Sequence, residues 1–110
     1  MIDTRFESRL LDHEAATVYF WSPTCQKCKI LGQRIKSLIK SRNIPLYEVN
    51  VSVEFDIALR YNVLSLPTLI FFRNGHENLR LTATSISMAE IEKACEELIC
   101  AHSQLPIQVR

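Results

Sequence analysis

Apolar positions along the chain change period several times, and each change marks an element. Thr17-Val18-Tyr19-Phe20-Trp21 is β-branched or aromatic at every position, the make-up of a strand buried on both faces. Before it, Phe6, Leu10 and Leu11 fall on one side of a short helix from Phe6 to Asp12. A break follows at Ser22-Pro23-Thr24. Apolar residues then recur at Cys28, Leu31, Ile35, Leu38 and Ile39, while Lys27, Lys29, Gln33, Arg34, Lys36 and Lys40 lie elsewhere. That stripe predicts a helix of about four turns, stopping near Ser41-Arg42-Asn43.

"IPLYEVNV" reads as a second strand beginning just after Pro45, and "EFDIALRYN" as a short crossover helix with Phe55, Ala58 and Leu59 on its apolar side. "PTLIFFRNG" is a third strand. It ends in Asn74-Gly75, a pair suited to a two-residue hairpin turn because both central positions need positive φ. A fourth strand over about Glu77 to Thr82 is then antiparallel to the third. Ser87 with Glu90 forms a capping box opening a last helix, whose buried side is Ile91, Ala94, Cys95, Leu98 and Ile99.

Strands alternating with helices imply parallel pairs joined by right-handed crossovers, and the closing hairpin adds an antiparallel edge. The expected fold class is therefore α/β, a small mixed sheet of about four strands with helices on both faces. Ligands of such sheets gather at the carboxyl ends of the parallel strands, where Cys25 falls.

The 110 residues, 47% hydrophobic and 23% charged, suit a single domain, residues 1–110, with a real core. That core is expected over about 6–101, with 102–110 a loose tail. The formal charge of +1 comes from interspersed Lys, Arg, Asp and Glu, so neither nucleic acid nor a strongly charged macromolecule is indicated as a partner. No stretch approaches eighteen consecutive apolar residues, and "MIDTRFESRLLDHEAAT" has no signal-peptide pattern. The expected setting is cytoplasmic, without a membrane, and as a monomer.

Composition gives no ligand, so the chemistry rests on "TCQKC". Cys25 and Cys28 stand three apart at a helix start, where sulfurs can reach bonding distance and where unpaired backbone NH groups and the helix dipole favour a thiolate. Cys25 precedes the first full turn and is the more exposed sulfur; Cys28 lies on the buried stripe with Leu31 and Ile35. This asymmetry suits a redox dithiol with Cys25 as nucleophile and Cys28 as resolving thiol. Zinc and a purely structural pair are the alternatives. Zinc wants four ligands, and there is no second CxxC. Cys95 and Cys100 point about 140° apart on one helix, and His13, His76 and His102 are scattered. No metal or other cofactor is expected beyond a redox-active Cys25–Cys28 disulfide. Cys95 reads as core and Cys100 as a stray thiol.

"FWSPTCQKCK" at 20–29 and "YNVLSLPTLIFFRNG" at 61–75 together resemble the thioredoxin family, over nearly the whole chain from about Phe6 to Ala101. The resemblance implies a thioredoxin-like fold and a thiol–disulfide oxidoreductase that reduces protein disulfides, with electrons from a thioredoxin reductase-like donor. By the same resemblance Cys25 is the attacking cysteine, Cys28 the resolving one, and Trp21 packs beneath the redox loop. Pro67 is then a cis-proline facing the dithiol, and the Leu66 backbone pairs with an extended substrate.

The departures are as specific. Gln26-Lys27 stands where the family has Gly-Pro, which tunes the motif, and Thr24 stands where it has a second tryptophan. Tyr19 occupies the place of its buried aspartate, and Glu48 that of its lysine partner. A carboxylate moved to a neighbouring strand leads to the expectation that Glu48 is buried, with a raised pKa, and accepts the proton of Cys28; the alternatives are a hydrogen bond accepted from the Tyr19 hydroxyl, or a Glu48 that faces solvent. "TATSIS" lacks the family's substrate-facing glycine, and the family's first strand is short or missing. The competing function is a docking module whose dithiol is idle or regulatory.

Overall fold

The computed structural model describes residues 4–108, with the side chains of Phe6 and of Ser8 to Leu98. Eight elements follow one another: α1 Thr4–Leu11, β1 Ala15–Trp21, α2 Gln26–Ser41, β2 Leu46–Asn50, α3 Phe55–Arg60, β3 Thr68–Arg73, β4 His76–Leu81 and α4 Met88–Gln108. The strands form one sheet in the order β2-β1-β3-β4. Among the described residues no strand precedes α1.

Side-chain alternation along β1 and β3 divides the core in two. Tyr19, Leu69 and Phe71 face one layer with Ile35 and Ile39 of α2 and Ile91, Ala94, Cys95 and Leu98 of α4. Val18, Phe20, Ile70 and Phe72 face the other, with Phe6 and Leu10 of α1 and Ile57 and Ala58 of α3. Because both faces are covered, five consecutive residues of β1 and five of β3 are buried, which is why these strands show no apolar–polar alternation.

The turn signals act as their chemistry requires. Asn74 and Gly75 adopt φ of 51° and 82°, and Arg73 pairs with His76 across that two-residue turn. Leu11, 63% exposed, falls off the apolar stripe of α1 and lies over Gly75, where a Cβ would collide with it. The Glu90 amide donates to Ser87 Oγ at 3.2 Å, one half of the capping box.

Four further expectations are corrected. β3 is antiparallel to β1, and only β1 and β2 run parallel. The six residues of α3 span about 9 Å, too short to carry the chain back along the sheet. The chain therefore enters β3 at the end where it left β2. On α3 the buried residues are Ile57 and Ala58, while Phe55 and Leu59 are about three-fifths exposed. One short helix with no layer outside it buries only the face toward the sheet. α4 continues to Gln108, past the expected end near Ala101. Residues 102–105 hold neither glycine nor proline, and adding residues to a formed helix costs little compared with nucleating one. Pro106, inside the last turns, removes one backbone donor without ending the helix. Glu48, finally, is not buried, as described below. The side chains of Ile99 and Cys100 lie outside the described residues.

Candidate active site

Strand register brings four separate segments to one end of the sheet. Trp21 pairs with Asn50, Phe20 with Thr68 and Leu69 with Leu81. The Cys25 turn after β1, the 51–54 turn after β2, Leu66-Pro67 before β3 and the 82–85 loop after β4 therefore share that end. The Val51 amide donates to the Trp21 carbonyl at 2.9 Å, which continues the ladder as far as the redox turn.

Cys25 is the N-cap of α2, with extended φ and ψ of −85° and 110°. Its Sγ accepts the Cys28 amide at 3.1 Å, and its carbonyl accepts the Lys29 amide at 3.2 Å. The Cys25 amide in turn donates to the Ser22 carbonyl at 3.2 Å. A capping sulfur in this position faces amides left over at the helix start and the positive end of the helix dipole, and the first turn holds no acid to oppose it. Both effects favour a thiolate on Cys25 in the reduced form. The two cysteines are joined as a disulfide with Cα atoms 5.2 Å apart. Cys28 is 4% exposed, whereas Cys25 is only half-buried, so one sulfur is open to a partner and the other lies behind it.

A cleft of about 190 Å³ reaches Cys28 from the side, bordered by Tyr19, Trp21, Gly32, Lys36 and Glu48. The Tyr19 hydroxyl donates to the Cys28 carbonyl at 3.1 Å. Burial, reinforced by the negative charge of Glu48, pushes the Tyr19 phenol up to about 12. It stays neutral and serves as a donor rather than a base. Trp21 is half-buried and packs against the α2–α4 layer, and its indole NH has no hydrogen-bond partner among the described residues.

Glu48 corrects the sequence reading most directly. Its side chain is 38% exposed and lies 3.5 Å from Lys36 Nζ. β2 is an edge strand, so the α2-facing side of Glu48 opens to water instead of into the core. The premise for a proton-accepting role, burial that would strengthen the carboxylate as a base, is absent.

The Leu66–Pro67 peptide bond is cis, as the resemblance implied. Thr68 Oγ1 donates to the Ser65 carbonyl at 2.7 Å and closes that turn. Pro67 is buried and Leu66 half-buried, the latter packed on the α1–α3 layer. Gln26 and Lys27 are exposed, and Lys27 Nζ donates to the Ala83 carbonyl at 2.5 Å across the site. Among the described residues no three His, Cys, Asp or Glu side chains converge to hold a metal.

Sequence reasoning passed over Arg80. From β4 its guanidinium donates to the Tyr61 and Asn62 carbonyls at 2.8 and 3.1 Å, and to both Glu77 oxygens at 2.8 Å. It thereby ties the segment leading to Pro67 onto the hairpin. An arginine three residues after a glutamate on one strand was the available signal, but its two carbonyl acceptors lie 18 and 19 positions away.

The family model described as Thioredoxin matches residues 1–97. Over 76 residues the chain is 37% identical to "Thioredoxin M-type, chloroplastic" of Spinacia oleracea, an alignment covering 66% of this chain and 42% of that protein. The chain thus spans less than half the length of that relative. Thioredoxin of Buchnera aphidicola is 28% identical over 102 residues, 90% of this chain and 94% of its own. Among solved structures, reduced Schistosoma mansoni thioredoxin superposes with a TM-score of 0.78 at 26% identity, covering 87% of this chain and 91% of that one.

Proposed function

Because the chain belongs to the thioredoxin family, we propose that it is a thiol–disulfide oxidoreductase that reduces protein disulfides through Cys25 and Cys28. One observation carries this reading: Cys25 caps α2 with its sulfur on the Cys28 amide, half-exposed, while Cys28 lies buried behind it.

In the reduced protein the Cys25 thiolate attacks one sulfur of a substrate disulfide. A Cys25–substrate disulfide forms, the substrate S–S bond breaks, and the departing thiolate takes a proton from solvent. Cys28 then gives up its proton to solvent and attacks Cys25 Sγ, forming the Cys25–Cys28 disulfide and releasing the second substrate thiolate. Two electrons have moved from the dithiol to the substrate. A second dithiol, that of a thioredoxin reductase-like donor, restores Cys25 and Cys28 and is itself oxidised. Trp21 and Cys28 border one cleft, and the Leu66-Pro67 turn, at the same sheet end, offers backbone to an extended substrate. Gln26, Lys27 and Tyr19 tune the couple. Net reduction requires a reducing compartment, which we take to be the cytoplasm.

Reduction of insulin disulfides by dithiothreitol tests the reading. The protein should accelerate it, and Cys28→Ser should accumulate a covalent adduct through Cys25. No acceleration and no adduct would leave a docking module with an idle dithiol.

A further inference from the structure

The helix that begins at the dithiol is charged in one sense only. Across Gln26–Ser41 it carries Lys27, Lys29, Arg34, Lys36 and Lys40, and no Asp or Glu. The chain as a whole is nearly balanced, with 13 Lys and Arg against 12 Asp and Glu. Lys36 is answered by Glu48. Among the described residues no carboxylate pairs with Lys27 or Lys29.

Lys27 is the more informative of these two. It sits between the cysteines, is exposed, and rests its ammonium on the neutral Ala83 carbonyl, 56 positions along the chain. The loop beyond, Thr82 to Ser85, is uncharged. A cation held by a carbonyl exchanges that acceptor readily for an anion, because hydrogen bonds between two charged groups are the stronger kind. The positive end of α2 adds to the same field.

We propose that the reduced dithiol prefers disulfides flanked by acidic side chains, with Lys27, between the two cysteines and resting on the Ala83 carbonyl, as the residue that reads them. This rests on the oxidoreductase reading above and names the substrate class of that same site.

Geometry gives Lys27 access to the substrate. The disulfide under attack must come to Cys25, two residues from Lys27. Side chains one or two positions from the substrate cysteine then lie within about 7 Å of it along an extended chain. Salt screens exposed charges beyond about 8 Å at physiological ionic strength, so Lys27 reads only acidic groups this near the substrate cysteine. Arg34 lies on the same face of α2 but about 10 Å further along the axis, where a bound peptide at Cys25 feels it less.

Single-turnover reduction of three peptides with the same intermolecular disulfide, differing only in Glu, Gln or Lys beside the cysteine, tests the proposal. Reduced protein and peptide are mixed by stopped flow, and the second-order rate constants compared. Glu should exceed Gln, and Gln exceed Lys, each by about two- to fivefold, the range of one exposed ion pair. The order should collapse in 1 M salt, where the screening length is about 3 Å. Lys27→Gln should flatten the series and Lys27→Glu reverse it, whereas Arg34→Gln should keep it. Equal rate constants for the three peptides, or an order that survives Lys27→Gln, would overturn the inference while leaving the oxidoreductase reading intact. Failure to reduce any of the three would overturn both.

Discussion

The Tyr19 hydroxyl donates to the carbonyl oxygen of Cys28 at 3.1 Å, so a buried residue of β1 is tied to the backbone of the residue that carries the resolving sulfur. The phenol is held neutral there by burial and by Glu48. It orients the first turn of α2 without supplying a base.

The alkaline stability of the protein should therefore depend on Tyr19. Its folded pKa of about 12 lies above the ordinary 10.0, so the folded state retains a proton that the unfolded state loses. The stabilisation is fully present below pH 10 and is lost as pH rises from 10 toward 12. Tyr19→Phe should cost about 1 kcal/mol at neutral pH through the lost hydrogen bond and should unfold less steeply across that alkaline window. Urea midpoints measured from pH 7 to 11.5 would show it; equal slopes for the two proteins would refute the assignment.

Gly32 borders the same cleft, inside α2. A Cβ built there meets only the Tyr19 hydroxyl, at 3.9 Å, an ordinary contact. Gly32→Ala should consequently stabilise the protein by about 0.5–1 kcal/mol, because the helix interior gains the better helix former. Chemical denaturation gives the answer, and a lower midpoint would show that this cleft wall has no room.

Cys25→Ser separates chemistry from capping. Serine is a preferred N-cap and its Oγ can accept the Cys28 amide as the sulfur does. The variant should stay within about 1 kcal/mol of the reduced wild-type protein and lose insulin reduction entirely. A large loss of stability would mean that the sulfur makes contacts an oxygen cannot.

Arg80→Gln should release the 61–66 segment. It removes the bonds to the Tyr61 and Asn62 carbonyls and the fork to Glu77, for a loss of about 1–3 kcal/mol. Amide exchange in residues 61–66 should quicken. Hydrogen bonding to Arg80 lowers the Glu77 pKa, so this pair stabilises the fold above the ordinary carboxylate pKa and less as pH falls through the folded value. The variant should accordingly lose less stability than wild type on acidification. Unchanged exchange and an unchanged acid limb would remove the clamp from consideration.

Local signals in the sequence were enough for most elements and for the reactive pair. The unbroken β-branched and aromatic run of β1, the stripe from Cys28 to Ile39, the Asn74-Gly75 turn and the Ser87 cap each act over a few residues, where steric and hydrogen-bonding preferences are set by the chain's immediate neighbours. The different exposures of Cys25 and Cys28 followed from the same helical period. Three features did not. The direction of β3 depended on whether α3 could span the sheet, the exposure of Glu48 on β2 being an edge strand, and the contact from Lys27 to Ala83 on two strand ends meeting. Periodicity reports which side of an element is apolar, but not what other element, or water, lies against that side. Only the assembled sheet, which brings together groups 56 and more residues apart, decides that.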